Sequence, residues 1–425
     1  MSASSHPSVT GPGARARIAV ALGRAVAGIS RLTGRGSGSV IGGRAALRVH
    51  PGLLRALSAG REIVLVSATN GKTTTTRLIA AALAADRAVV SNSLGANMAA
   101  GIVAALGPTA PGTTAVLEVD ERWLPGVLRD TEASTVVLLN LTRDQLDRSQ
   151  EVRSLAAAWR RCLAETPPHT VIANADDPLV VWAARGAPTV IWVATAQRWL
   201  ADAVGCPECT GRIEFGPSSW HCTGCDLSRP IPSVTVDDTA IVIDGERSPI
   251  TLGLPGRINR VNAAFALATA HSLAVPLAPA ADGIAAVTEV AGRYRVTTVN
   301  GRTVRLLLAK NPAGWHEAIE LLAPAPAPTV VSINSRIADG LDPSWLWDVD
   351  FEILQGRFVV ATGERRHDLA VRLRYAEVDH AVADTVDEAV RICAGRPEHR
   401  PGAVIDLAAN YTAFQQYFER FGGDR

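Results

Sequence analysis

The sequence predicts an α/β protein built on parallel sheets, and three of its features lead to this fold class. Apolar stretches such as residues 63–66 alternate with polar loops and helix-like segments, which is typical of parallel sheets. A second series of the same kind follows residue 295, and two cysteine pairs interrupt the first series at residues 204–228. We therefore expect an N-terminal tail and amphipathic helix (1–50), a domain with a cysteine-rich insertion (51–295) and a C-terminal domain (296–425).

Each predicted strand of the first domain ends in a polar loop. In EIVLVSATNGKTTTTRLIAAALAA, a buried strand from Ile63 to Val66 is followed by a loop and by a helix that begins near Gly71. Later strands are predicted in TTAVLEVDE, ASTVVLLNLTRDQLD, HTVIANADDPLV and PTVIWVA. Since loops at the carboxyl ends of parallel strands share one edge of a sheet, we expect the functional site there.

The C-terminal domain shows the same alternation. Its strands and helices are predicted in VRLLLAKNPAGWHEAIELL, APTVVSIN, RFVVATGERRHDLAVRL and GAVIDLAANYTAFQQYFERF, and the Pro-rich stretch 321–328 is predicted to be an internal loop. Asn311 is a predicted helix N-cap with Pro312 at the first helical position, and Lys310 adds a positive charge beside it. This helix start is either a structural cap or part of a site for an acyl phosphate.

Composition excludes several classes of protein. A hydrophobic content of 47% with 20% charged residues is ordinary for a soluble protein, and a net charge of +1 favours neither nucleic acid nor acidic membrane as the main partner. Residues 1–13 lack the pattern of a signal peptide, so we expect a cytoplasmic protein. Residues 14–32 suit an amphipathic helix that either packs on the next domain, which we favour, or lies on a membrane surface.

The stretch SATNGKTT predicts a phosphate-binding loop. A Gly-Lys-Thr triplet that follows a strand and begins a helix lets backbone amides surround phosphates, with Lys72 on the outer phosphates and Thr73 on magnesium. Val66 stands where the general pattern has glycine, so the loop is a variant, and a simple glycine turn is the alternative. We treat Lys72 as a loop lysine with little packing role. Magnesium prefers oxygen ligands, and Glu118, Asp120 and Glu121 of LEVDE lie at the end of a strand.

Four cysteines have the spacing of a structural zinc site. Cys206 and Cys209, then Cys222 and Cys225, form two C-x2-C pairs separated by twelve residues. Four thiolates leave no open position on the ion, so the zinc is expected to stabilise the insertion rather than act in catalysis. A nucleic-acid-binding knuckle is the competing role, but the segment between the pairs has a single arginine, and we expect no nucleic-acid partner. His221 adjoins the second pair as a neighbour rather than a ligand.

The two remaining cysteines predict that ammonia comes from elsewhere. Cys162 and Cys393 stand among apolar residues at helical spacing, so we expect buried thiols rather than nucleophiles. A glutaminase needs a nucleophilic cysteine beside a histidine. If the reaction uses glutamine, a second chain is therefore a chemical requirement.

In order, the motifs ATNGKTT, LEVDE, NLTRDQLD, ANADDP, RINRVNAAFA and GRYRV resemble the Mur ligase superfamily, which includes folylpolyglutamate synthetases. The resemblance covers residues 50–425 and implies a Mur-ligase-type P-loop ATPase domain with a four-cysteine zinc-ribbon insertion and a Rossmann-like C-terminal domain. It also implies an enzyme that uses ATP to form an acyl phosphate, which an amine attacks. Two departures are the short segment before the first strand and Gln145, which replaces a histidine usual in the family.

The cysteine insertion and DGLDPSWLWDVDFE narrow the resemblance to synthetase subunits of lipid II isoglutaminyl synthases. Such subunits pair with a GatD-type glutaminase as a heterodimer and amidate the D-glutamate of lipid II at the inner membrane face, so membrane association is possible. The resemblance implies ATP, Mg²⁺ and Zn²⁺ as cofactors. It also implies a magnesium site at Thr73 and Glu118, catalytic roles for Lys72 and Glu118, and an ATP site formed by Thr69, Asn70, Gly71, Lys72, Thr73, Thr74 and Asn262.

The acids of ADGLDPSWLWDVDFE are candidates for a role shared with the glutaminase. A cysteine–histidine pair needs an acid to orient the imidazole, and the resemblance implies that the synthetase subunit supplies it. We choose Asp348, because Trp345 and Trp347 flank it, with Asp342 second; Asp339 lies nearby. The alternative is that these acids cap the following helix. The alternative functions are an amino-acid-adding ligase of the Mur or folylpolyglutamate type and a zinc-ribbon nucleic-acid-binding NTPase.

Overall fold

The chain folds into two compact units, which a computed structural model describes at residues 13–32, 38–92, 96–144, 152–289 and 294–421. The first unit comprises residues 1–141, 152–253 and 259–287, and the second comprises 142–151, 254–258 and 288–425. The second unit thus begins at 288 rather than 296 and takes two short segments from earlier in the chain. Gln145 and the first two residues of GRYRV lie outside the described residues.

In the described part of the chain before the first strand lie the helices α1 (Ala14–Leu32), α2 (Ser39–Val49) and α3 (Leu53–Ser58). The first is the helix that the sequence predicts, whereas the other two were not predicted. α1 packs on α2, and the described part of residues 1–50 belongs to the first unit. No helix in the described ranges is long and apolar enough to cross a bilayer.

The first unit is built on a nine-stranded sheet with the order β11-β10-β9-β6-β5-β4-β1-β3-β2. The six strands from β6 to β2 in that order are parallel, as predicted. They are β1 (Ile63–Ser67), β2 (Val89–Ser91), β3 (Thr114–Val119), β4 (Thr135–Leu138), β5 (Thr170–Asn174) and β6 (Val190–Val193).

Helices cover this sheet because its central strands are apolar on both faces. Every residue of β1, β3 and β4 is buried, a pattern that requires cover on both faces. The helices that follow the strands are α4 (Lys72–Ala84), α5 (Ala99–Leu106), α6 (Leu124–Thr131), α7 (Val152–Glu165), α8 (Pro178–Ala184), α9 (Arg257–Ser272) and α10 (Leu277–Ala285).

The insertion and the segment after it differ from the sequence expectation. A short antiparallel hairpin, β7 (Ile213–Phe215) and β8 (Trp220–Cys222), carries the cysteines. The alternation of strand and helix does not resume directly, because β9 (Val234–Val236), β10 (Ala240–Ile243) and β11 (Glu246–Pro249) form an antiparallel meander at the edge of the large sheet. Antiparallel strands need only short turns, so no helix separates them.

The second unit has a six-stranded sheet with the order β12-β13-β17-β14-β15-β16, parallel except for the edge strand β12. Residues 321–328 lie inside it, as predicted. Its strands are β12 (Tyr294–Val299), β13 (Arg302–Leu308), β14 (Thr329–Ser332), β15 (Val359–Thr362), β16 (His380–Val382) and β17 (Ile405–Ala409). Its helices are α11 (Pro312–Leu321), α12 (Arg366–Tyr375), α13 (Val386–Ala394) and α14 (Tyr411–Phe421), with 3-10 turns at Pro343–Asp348 and Phe351–Leu354.

Candidate functional site

The loop between β1 and α4 has the geometry of a phosphate-binding loop. Gly71 adopts φ +87°, a left-handed conformation that favours glycine. A Cβ at Gly71 would lie 3.2 Å from Oδ1 of Asn262, so the neighbouring helix α9 also leaves little room for a side chain. The amide of Thr75 donates to the Gly71 carbonyl at 2.9 Å and starts the helical hydrogen bonds. The loop therefore leads directly into a helix N-terminus, where backbone amides favour an anion.

Asn140 holds this loop in place, although the sequence analysis did not single it out. Its carbonyl accepts from the amide of Thr69 at 3.0 Å, and its side chain accepts from the amide of Asn70 at 2.9 Å and donates to the Asn70 carbonyl at 3.0 Å. Asn140 follows β4 in the motif NLTRDQLD. An asparagine at the carboxyl end of a strand next to β1 was the available signal, and only the strand order shows what it contacts.

Lys72 is a buried helix residue, so its treatment as a loop lysine with little packing role is wrong. It begins α4, and its Nζ donates to the carbonyls of Ala68 and Thr69 and to Oε2 of Glu121, the last at 2.9 Å. Its side chain is 7% exposed and that of Glu121 is 9% exposed. The ammonium group is therefore held at a fixed place beside the loop.

The acids of LEVDE occupy different positions around this lysine. Glu121 pairs with Lys72, whereas Glu118 lies within β3, where the strand register pairs it with Val66. Asn92 binds the backbone amide and carbonyl of Glu118 at 2.8 Å each. Burial, and then the Glu121 carboxylate, raise the pKa of Asp120 above its usual value, while the charge of Lys72 opposes this shift. The motif thus supplies three carboxylates next to the loop.

The remaining predicted nucleotide-binding residues lie on two helices. Asn262 of α9 is buried and accepts from the hydroxyl of Thr75 at 3.2 Å, so the structure brings it close to the loop. Thr73 and Thr74 are the second and third residues of α4; Thr73 is half-buried and Thr74 is buried. Thr69 and Asn70 form the loop itself.

The four cysteines of the insertion converge on one point. Their sulfur atoms all lie within 4.8 Å of one another, with Cys206 Sγ 3.6 Å from Cys225 Sγ and Cys209 Sγ 3.4 Å from Cys222 Sγ. Four sulfurs about 2.3 Å from a central ion would be roughly 3.8 Å apart in a tetrahedron, so this arrangement fits zinc. The amides of Gly211 and Gly224 donate to Cys209 Sγ and Cys222 Sγ at 3.4 and 3.3 Å, which favours thiolates.

The cysteine cluster is attached to α8. Trp220 of the hairpin is buried and donates to the Ala175 carbonyl at 3.0 Å. Glu208 accepts from Arg185 at 3.0 Å. A small apolar core also joins the hairpin to Val181. His221 is exposed, as expected of a neighbour, and its Nε2 lies 3.8 Å from Glu214.

Cys162 and Cys393 are buried, as predicted. Burial raises the pKa of each thiol to about 12. Because the thiolate is the nucleophilic form, neither residue is prepared for nucleophilic attack.

In the second unit, the segment 142–144 contacts the start of α11. Asn311 caps that helix by accepting from the amide of Gly314 at 2.9 Å, as predicted, and it is fully buried. Its side-chain amide donates to Asp144 at 3.2 Å, and Lys310 Nζ lies 3.6 Å from the same carboxylate. Asp144 thus orients both residues, a contact that spacing along the chain does not reveal.

The acids near the tryptophans have three different environments. Asp339 is buried and accepts from the amide of Thr412 at 2.8 Å, so it has a structural role at the start of α14. Asp342 caps the 3-10 turn by accepting from the amide of Ser344 at 2.8 Å, as the capping alternative predicts. Asp348 is exposed, 3.5 Å from Arg143. Trp345 is buried, whereas Trp347 is 55% exposed.

Residues in both units match models of known protein families. Residues 66–270 match the family described as Mur ligase middle domain, and residues 308–414 match MurT ligase C-terminal. The MurT subunit of the glutamine-hydrolysing lipid II isoglutaminyl synthase of Streptococcus pneumoniae (strain ATCC BAA-255 / R6) is 31% identical over 81% of this chain and 83% of its own length. The chain belongs to the MurT family. The corresponding MurT subunit of Staphylococcus aureus (strain COL) is 30% identical over 85% of this chain and 88% of its own length.

Comparison with solved structures shows that this chain has the Mur ligase fold. MurF from Acinetobacter baumannii has a TM-score of 0.65 at 16% identity, over 90% of this chain and 80% of that one. A pseudomurein peptide ligase type C from Methanothermus fervidus has a TM-score of 0.64 at 18% identity, over 84% and 78% of the two chains. The α/β Mur ligase fold predicted from the motifs is therefore confirmed.

Proposed function

We propose that this chain is the synthetase subunit of a lipid II isoglutaminyl synthase. In the proposed reaction, an oxygen of the α-carboxylate of D-glutamate in lipid II takes the terminal phosphoryl group of ATP, and ADP leaves. Ammonia then attacks the acyl carbon, and phosphate leaves as the amide forms. The observation that carries the proposal is the similarity to MurT subunits along more than 80% of the chain.

The loop of residues 68–71 and the start of α4 support an ATP site. Amides at the helix N-terminus bind phosphate oxygens. The buried ammonium of Lys72 stabilises the negative charge on the phosphoryl group while it is transferred. Glu121 positions that ammonium at 2.9 Å. Asn262 lies against Gly71 and is proposed to contact the nucleotide.

Thr73 and Glu118 are the proposed magnesium ligands. Both offer oxygen donors, which Mg²⁺ prefers, and Glu118 lies in register with the last residues of β1. Bound magnesium would neutralise phosphate charge during transfer. Glu121 has a different proposed role because its carboxylate already binds Lys72.

Zinc at the four cysteines has a proposed structural role. The four cysteines would hold a zinc ion as thiolates and would leave it no open position for substrate. The hairpin strands have three residues each, and the apolar core beneath them is shared with α8. Metal ligation therefore supplies much of the stability of the insertion.

We further propose that a GatD-type glutaminase supplies the ammonia and that Asp348 serves its active site. The two cysteines outside the cluster are buried with raised pKa values, so neither of them offers a thiolate nucleophile. Asp348 is exposed, so its carboxylate can reach a second chain. Trp347 beside it is partly exposed and could pack against that chain. Asp342 ranks below Asp348 as a candidate, because its carboxylate already caps a turn.

Reconstitution with a GatD-type glutaminase tests these roles separately. Lys72→Ala should abolish amidation of lipid II with either glutamine or ammonium, because both need the acyl phosphate. Asp348→Asn should abolish amidation with glutamine and preserve it with ammonium, and Asp342→Asn tests the second candidate in the same two assays. Transfer of an amino acid without the partner would instead show an amino-acid-adding ligase. Unchanged glutamine hydrolysis in both aspartate variants would refute the shared acid.

A further inference from the structure

Helix α1 has its small side chains inward and its large apolar side chains outward. The face that packs on the protein consists of Ala16, Ala19, Gly23, Ala27 and Ser30. A Cβ on Gly23 would lie 2.8 Å from the carbonyl oxygen of Gly42 in α2, and a Cβ on Gly42 would lie 2.4 Å from that of Gly23. The two helices therefore pack closely through glycine, and rotation of α1 would place larger side chains where no room exists.

The opposite face carries a stripe of large apolar residues. Ile18, Leu22, Ile29 and Leu32 are 64%, 44%, 62% and 89% exposed. At about 100° per residue, these four side chains fall within an arc of roughly 80° on the helix surface. A continuous apolar stripe of this kind on the surface marks a contact with a partner or a membrane.

All charged residues of α1 are arginines. Arg17, Arg24 and Arg31 are exposed and follow each other at seven-residue spacing along one flank of the stripe. The first 61 residues contain nine arginines and none of the 41 acidic residues of the chain. The N-terminal region is therefore strongly basic, although the whole chain has a net charge of only +1.

The composition of the exposed face favours lipid over protein. Its residues are arginine, alanine, isoleucine and leucine; of the residue types enriched in protein interfaces it has arginine but no aromatic side chain and no methionine. Amphipathic helices that lie in the interface of a bilayer combine an apolar face with arginine or lysine. Arg24 and Arg31 also line part of a cavity of about 570 Å³ beside α1, α2 and α5.

We propose that α1 docks this protein on the surface of an anionic phospholipid bilayer. The stripe of Ile18, Leu22, Ile29 and Leu32 enters the interface, and the arginines bind headgroup phosphates. The helix both packs on the protein and lies on the membrane, so the two interpretations of its sequence apply to its two faces.

Flotation with lipid vesicles tests the proposal. The full chain should float with vesicles of phosphatidylcholine and phosphatidylglycerol, but not with phosphatidylcholine alone, and added salt should release it. Replacing Arg17, Arg24 and Arg31 by Gln should weaken partitioning roughly a hundredfold, since each arginine near an anionic surface contributes about a factor of five. Arg212, Arg374 and Arg400, which are exposed elsewhere, provide a triple Gln control of equal charge change.

The apolar stripe has its own variant and control. Ile18→Asp with Ile29→Asp should weaken partitioning by at least about tenfold, whereas Ile231→Asp, at a residue 92% exposed elsewhere, should leave it unchanged. All variants should keep the thermal midpoint of the parent protein, since the altered side chains are exposed. Equal binding to both kinds of vesicle, or equal binding by the α1 variants and their controls, would overturn the proposal. A dimer in solution that the Ile18/Ile29 variant converts to monomer would also overturn it, because a second copy would then occupy this face.

Discussion

The buried pair of Lys72 and Glu121 allows its structural and catalytic roles to be separated. Its atoms are 2.9 Å apart, and the two side chains are 7% and 9% exposed. Lys72→Met leaves the Glu121 carboxylate buried without its cation, whereas Glu121→Gln leaves an ammonium that still has the carbonyls of Ala68 and Thr69. The double variant removes both charges and keeps side chains of similar size.

Breaking one side of a buried pair lowers the free energy of unfolding by about 3–5 kcal/mol, whereas replacing both charges is often nearly neutral. We therefore expect about 3 kcal/mol for Lys72→Met, about 2 kcal/mol for Glu121→Gln because two carbonyl contacts remain, and less than about 1 kcal/mol for the double variant. Activity should behave differently. Any protein without Lys72 should lose about 10²-fold or more in amidation rate, including the double variant.

Urea unfolding measures the stabilities, and amidation of lipid II with ammonium measures activity without the glutaminase step. The exposed pair of Arg55 and Glu132 is the control, with side chains 60% and 68% exposed. Arg55→Met should change the free energy of unfolding by less than about 1 kcal/mol. Two observations would each refute the reasoning: additive stability losses in the double variant, or activity restored by it.

Three further predictions concern other sites. Metal analysis should find one zinc per chain, and Cys206→Ser or Cys225→Ser should lower the thermal midpoint. A metal-free variant that keeps its thermal midpoint and loses only catalysis would contradict a structural role for the zinc. Asp177 is the buried N-cap of α8 and accepts from the amides of Leu141, Leu179 and Val180. Burial outweighs these hydrogen bonds and raises its pKa to about 6, so the folded state binds a proton more tightly than the unfolded state. Stability should therefore fall, on the order of 3 kcal/mol, as pH rises from about 4 to about 6. Asp177→Asn should flatten that profile in urea unfolding, and a slope equal to the parent's would exclude Asp177 as its source. Asn311→Ala should destabilise the second unit by about 1–2 kcal/mol, because it removes the buried N-cap of α11. The control Thr385→Ala, at the exposed cap of α13, should cost about 1 kcal/mol or less. Equal losses of stability in the two variants would show that burial does not strengthen the cap at Asn311.

Local sequence was enough to predict the strands that build the site and the positions of its loops. The strand from Ile63, the helix that begins beside Gly71 and the cap at Asn311 depend on residues that are neighbours in the chain. The spacing of the four cysteines similarly predicts their convergence, because two tight turns and one hairpin bring them together. The short edge strands, α2 and α3 were missed, since their patterns are too brief or too rich in alanine and glycine.

By itself, the sequence determined the α/β fold class, the glycine loop between β1 and α4, the cysteine cluster and the membership in the Mur ligase superfamily, because each depends on short-range patterns. Only the tertiary structure decided that Glu121 holds Lys72, that Asn140 fixes the loop and that Asp144 orients Lys310. It also decided which face of α1 remains outside. These contacts join residues far apart in the chain, and strand order and helix packing determine them, whereas periodicity records only whether a position is buried.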